Sequence, residues 1–166
     1  MTTRRTFFAL AAACALSACS TSSGGGSSDP GNAESDAPIL PEPRSVTVAL
    51  SASSDVNPGP TGKAAPITLR LYTLRSVGRF GTLDFFEIAE GASALQGAVV
   101  DSRTVSLRPG ENRSVTLNAG TDGAYLGVAA AYRNIDGARW RGQTSLTGRD
   151  TFSVRAGRSS VSVSGR

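Results

Sequence analysis

From residue 44 onward the chain alternates. In SVTVALSAS, Val46, Val48, Leu50 and Ala52 fall on one face and Thr47 and Ser51 on the other, the period of a half-buried β-strand. Ile67, Leu69 and Leu71 share a face in PITLRLYTL, and Val115 and Leu117 do so in RSVTLN. AYLGVAAAY is apolar on both faces, which predicts a central strand covered on both sides. Shorter strands are predicted around Val105, from Arg139 to Leu146, from Phe152 to Val154 and from Val161 to Val163. Turn chemistry separates them: RPGEN, GTDG and NIDG tolerate positive φ, and RAGRS suits a short hairpin loop. About seven or eight short strands at this spacing predict a mostly β protein, an antiparallel β-sandwich.

One stretch breaks the rhythm. In FGTLDFFEIAEGASALQG, Asp84 and Glu87 have the spacing of a helix N-cap and its reciprocal partner, and Gly91 stops the helix. Leu83 and Phe86 stand at i and i+3, so this short helical insertion is expected to pack on the sandwich edge through that pair. Ser93 can open a second turn.

The first residues are of another kind. Arg4 and Arg5 precede an apolar stretch from Phe7 to Leu16, of about ten residues, with small residues after it; this is a secretory signal too short to span a bilayer. Leu16-Ser17-Ala18-Cys19 resembles the lipobox of bacterial lipoproteins. That resemblance implies cleavage before Cys19, leaving residues 1–18 as leader, and N-acyl and S-diacylglycerol lipid on the Cys19 thiol. An ordinary signal with an incidental cysteine is the alternative, which would leave Cys19 a lone thiol in an oxidising compartment. The paired arginines fit either general or twin-arginine export. Ser20 stands where an aspartate would retain a lipoprotein at the inner membrane, so the expected location is the inner, periplasmic-facing leaflet of the outer membrane.

Residues 19–44 are rich in Ser, Gly, Pro, Asp and Glu, with almost nothing to bury; they are expected to form a disordered tether spanning roughly 25–30 Å. The remainder, 45–166, suffices for one core. The 17 basic and 13 acidic residues fall to a balance of 15 against 13 once Arg4 and Arg5 leave with the leader. The basic residues are scattered among acidic ones, which argues against a nucleic-acid partner.

The sequence contains no histidine, which removes the commonest general base, the Ser/His and Cys/His nucleophile pairs and the commonest zinc ligand. No catalytic residue, metal site or cofactor other than the Cys19 lipid is predicted. Trp140, between Arg139 and Arg141, is either a core aromatic or, with Tyr132, a stacking platform for a sugar or other small ligand. The loop SDVNPGPTGKAAP is too long for a tight hairpin and holds three prolines, two glycines and the chain's one lysine. Prolines restrict the free loop, so less order is lost on docking; the loop is either an idle connection or a binding element.

The ordered set of NPGPTGKAAPITLRLYTL, FGTLDFFEIAEG, SLRPGE and AYLGVAAAYRNIDGARWRG, with the lipobox at Cys19, resembles the type VI secretion lipoprotein family TssJ, also described as SciN or VasD-like. The resemblance implies a transthyretin-like sandwich with a small helical addition, no enzymatic activity, and binding to the periplasmic C-terminal region of TssM in a complex with TssL. It assigns partner contact to the loop after the first strand: Asn57, Pro58, Gly59, Pro60, Thr61, Gly62 and Lys63. A lipid-anchored sugar-binding or hydrolase-inhibiting sandwich is the competing reading.

Overall fold

The computed structural model describes residues 42–166. The leader, Cys19 and most of the expected tether lie outside the described residues. Eight strands follow in chain order: β1 (Arg44–Ala52), β2 (Ile67–Leu74), β3 (Val99–Leu107), β4 (Asn112–Gly120), β5 (Tyr125–Ala130), β6 (Arg141–Ser145), β7 (Thr151–Ala156) and β8 (Val161–Gly165). They form two four-stranded sheets, ordered β4-β1-β7-β8 and β3-β2-β5-β6. Alternation delivers the core as expected. Val46, Val48, Leu50 and Ala52 of β1 meet Ile67, Leu69 and Leu71 of β2 and Leu126, Val128 and Ala130 of β5, all buried.

One pairing departs from a purely antiparallel sandwich. β1 and β7 run parallel, with Thr47 opposite Thr151 and Ala52 opposite Ala156. A tight hairpin forces antiparallel neighbours, but β1 and β7 are separated by most of the domain, so nothing local sets their relative direction.

Where β2 runs out of apolar residues, its inward position is Thr73, fully buried. Its hydroxyl donates to the Asn118 carbonyl of β4, 2.6 Å away in the opposite sheet, and accepts from the Asp101 amide at 3.0 Å. Asp101 also accepts from the Asn118 amide at 2.9 Å. The β3 and β4 edges are thereby stitched together, which leaves less open backbone for another chain to extend.

The helical insertion lies on the outer face of the second sheet. It comprises α1 (Gly78–Thr82), α2 (Phe85–Ala89) and a single 3-10 turn (Ala92–Leu95). The Asp84–Glu87 capping box forms as predicted, both bonds at 2.8 Å. The packing differs from expectation. Phe86 is 67% exposed, while Phe80, Ile88 and Leu95 are buried against Tyr72, Leu74 and Ala129. A helix this short has barely one face, and the cap at Asp84 turns Ile88 inward, which carries Phe86 outward.

Helix α1, which had no sequence signal, is fastened by Phe80. Its ring occupies the space that a side chain on Gly127 would need: a Cβ there would lie 3.0 Å from Cζ of Phe80. Arg141 of β6 donates to the carbonyls of Phe80 (2.8 Å) and Leu83 (3.0 Å), filling acceptors left open at the helix end. The two-sided burial expected for β5 is therefore met by the core on one face and by the insertion on the other.

Phe80→Ala should cost about 3–5 kcal/mol in chemical denaturation, through lost burial and the cavity left behind. Phe86→Ala should change stability by no more than about 0.5 kcal/mol, since it removes an exposed ring. Equal losses from the two variants would contradict this packing.

Candidate functional site

Three loops meet at the end of the sandwich where β1 finishes: residues 53–66, 131–140 and 157–160. Between them lies an open cleft of about 450 Å³, lined by Asn57 to Pro60 from the first loop, Tyr132 to Asn134 and Gly137 from the second, and Arg158 and Ser159 from the third. This is the loop that sequence reasoning singled out, now with its neighbours.

Asn57 holds the three loops together. It is 3% exposed and takes φ +50°, a left-handed conformation that asparagine tolerates better than most residues. Its main-chain N–H donates to the Arg158 carbonyl at 3.1 Å. Its side-chain Nδ2 donates to the Pro66 carbonyl at 2.7 Å, and its Oδ1 accepts from the Arg133 amide at 2.8 Å. Asn57, one of the residues of the expected partner-binding loop, lines the cleft, and its carboxamide is bonded inside the chain, where it positions the loops.

The rest of the loop divides cleanly. The Ala65 amide bonds the Val56 carbonyl at 3.1 Å and pinches the base. Beyond it, Gly59 N–H donates to the Lys63 carbonyl and Gly62 N–H to the Gly59 carbonyl, both at 2.9 Å, folding the tip on itself. Pro60, Thr61, Gly62 and Lys63 are exposed on that tip, while Pro58 and Gly59 are half-buried along the cleft wall. The loop is thus a braced projection.

Tyr132 adds a second tie. It is buried, and its hydroxyl donates to the Gly157 carbonyl at 3.1 Å. Burial pushes its phenol up to about 12, because the ionised form would lose its hydration. Trp140 is half-buried, packed edge-on against Phe85 at 5.4 Å between ring centres, with the Arg141 guanidinium 4.9 Å over its ring. A stacking platform needs an open aromatic face; Tyr132 is sunk in the fold and Trp140 carries an arginine. Arg133 and Arg158, which sequence reasoning did not single out, enter the cleft wall from separate loops. Among the described residues, no three His, Cys, Asp or Glu side chains cluster to hold a metal ion, and no helix is long and apolar enough to cross a membrane.

A rigid two-sheet frame carrying a braced loop end defines a β-sandwich of the kind that presents loops to other molecules. The chain belongs to the type VI secretion lipoprotein family, described as VasD, EvfM and TssJ, whose profile matches residues 44–160. This is a family of secretion-apparatus lipoproteins and not a known enzyme family. The crystal structure of the lipoprotein TssJ1 from Pseudomonas aeruginosa is similar at a TM-score of 0.69 and 34% identity, covering 75% of this chain and 98% of that one. Serratia marcescens Lip, described as a membrane bound component of the type VI secretion system, is similar at 0.68 and 28%, covering 75% and 99%. A chain in the structure described as the TssM C-terminal domain from EAEC matches at 0.61 and 16% identity over 74% of this chain and 98% of that one, a likeness of fold alone. No curated protein sequence matches the chain.

Asn57→Ala should destabilise the domain by about 2–4 kcal/mol in urea unfolding, by leaving the Pro66 carbonyl and Arg133 amide without partners. Faster hydrogen exchange at the Arg133 amide should accompany it. Asn57→Gly keeps the left-handed backbone and isolates the share due to the carboxamide.

A second expectation concerns pH. Below about 10 the Tyr132 phenol is protonated folded and unfolded alike; between there and about 12 the unfolded chain ionises while the folded one resists, so stability falls as pH rises. Tyr72 is shifted the same way by burial. The arginines stay charged and only one lysine is present, so Tyr132→Phe should visibly flatten the alkaline loss of thermal stability.

Proposed function

We propose that this lipoprotein is acylated on Cys19, sits in the inner leaflet of the outer membrane, and binds the periplasmic C-terminal region of a TssM-like protein in a complex with TssL. One observation carries the proposal: in a chain of this family, an exposed, proline-stiffened tip, Pro60 to Lys63, projects beside a cleft whose walls are clasped by Asn57. A projection that is already ordered loses little freedom when a partner closes on it, so more of its contact energy appears as affinity. The lipid at one end and the grip at the other would join the sandwich to a protein rooted in the opposite membrane.

The lipobox at Cys19 supports the anchor. Acyl chains contribute about 0.8 kcal/mol per buried methylene; one chain holds marginally and several hold durably. The tether then sets the working distance between membrane and domain, on the order of 25–30 Å.

Replacing residues 58–63 with Gly and Ser, with Asn57 kept, should weaken pull-down of the TssM periplasmic region while the thermal midpoint stays unchanged. In cells, Cys19→Ala should leave the domain folded, remove it from outer-membrane fractions and abolish type VI secretion. Undiminished secretion by the Cys19→Ala strain, or undiminished pull-down by the loop variant, would refute the corresponding half of the proposal.

A further inference from the structure

We infer that the cleft at the loop end is a carboxylate receptor: it takes an acidic stretch of the partner polypeptide between Arg133 and Arg158. This rests on the reading of that end as the partner site and adds the chemistry of what is bound there.

The geometry of the two arginines carries the inference. Their main chains are tied to the same buried residue, the Arg133 amide to Oδ1 of Asn57 and the Arg158 carbonyl to its N–H. Two arginines from separate loops thus line one cleft on backbones whose relative position is fixed. Guanidinium planes suit bidentate carboxylate recognition, and with the backbones already held only the two side chains must order to accept it.

The charges around them are not balanced. None of the residues lining the cleft is acidic. Arg133 forms no ion pair among the described residues, and Arg158 meets Asp55 only at 4.0 Å, with both side chains more than half exposed. Such a pair is worth little and exchanges readily for a better one. Lys63 on the tip and Arg139, whose amide bonds the Ser159 carbonyl, add positive charge at the same end. Asp55 and Asp136 are the acidic residues close by in these loops, and both are exposed. Like charges gathered in a concave wall focus the field there and draw in an anionic ligand.

A protein carboxylate fits better than a lipid headgroup. β1 begins at Arg44, where the tether enters, and the cleft lies beyond the other end of the same strand. The cleft thus faces away from the point where the chain enters the domain, and flat carboxylates match paired guanidinium planes.

The test is a binding titration of the purified domain (residues 42–166) with the TssM periplasmic region, at about 0.05 M and about 0.5 M salt. Wild-type affinity should fall with salt, and Arg133→Glu/Arg158→Glu should weaken it by about tenfold or more with an unchanged thermal midpoint, because both side chains lie outside the fold's hydrogen bonds. Arg133→Gln/Arg158→Gln, which adds no new charge, should lie between the two. Tight binding indifferent to both charge and salt would overturn the inference while leaving the partner intact. Should the wild type fail to bind TssM, the partner assignment falls instead. NMR of the Arg133 and Arg158 Nε–H groups with the peptide acetyl-Glu-Glu-Asp-Glu-amide then decides: shifts absent with a lysine counterpart uphold the carboxylate site, and no shifts overturn it. Flotation with phosphatidylglycerol vesicles that depends on the same arginines would reassign the cleft to lipid and overturn the inference.

Discussion

A single buried asparagine, through its carboxamide and its main-chain N–H, organises the loop end of this molecule. Asn57 reaches Pro66 within its own loop and Arg133 and Arg158 in two loops scores of residues away, and each bond satisfies a backbone group that would otherwise be stranded at the rim of the core. The two sheets could pack without it, since their contacts are apolar and regular. The second and third loops are joined by Tyr132 and Arg139, but the first loop is fastened to both of them, among the described residues, through Asn57. The packing of the loop bases and the placing of the exposed tip therefore meet at one residue, Asn57, which is itself buried.

The helical insertion answers a different need. β2 and β5 present Tyr72, Leu74 and Ala129 on the face away from the core, and without a cover these would meet water. Phe80, Ile88 and Leu95 supply that cover in three short turns. None of these turns is long enough to be stable alone. Their order comes from the sheet, from the Asp84–Glu87 cap and from Arg141 holding the end of the first helix. The cost is Phe86, left facing solvent.

Much of the fold was legible because period-two alternation is a local signal. Val46 to Ala52 or Ile67 to Leu71 declare their inward face without reference to anything else. The capping box was equally readable, three residues apart. What stayed hidden depends on distant partners. Asn57 looks like any turn-former beside Pro58; its burial is set by Arg133 and Pro66, whose approach no local pattern encodes. Phe80 sits in SVGRFGT, between glycines that argue against a helix, and is held there by Gly127 and Arg141 from other strands. Arg133 and Arg158 read as two scattered surface charges until their loops converge. The loop after β1 was recognisable as a candidate from composition, but its division into an inner clasp and an outer tip was not.

The placement of β1 has a mechanical corollary. It lies between β4 and β7, bonded along both flanks, with Arg44 at one pole and the clasped loops just past Ala52 at the other. Tension between those poles acts along the strand, and ladder bonds lie across it, so they are loaded side by side in shear instead of peeling one after another. Yielding would require many bonds to break in concert, which is the arrangement a tie-rod needs and a zip fastener lacks.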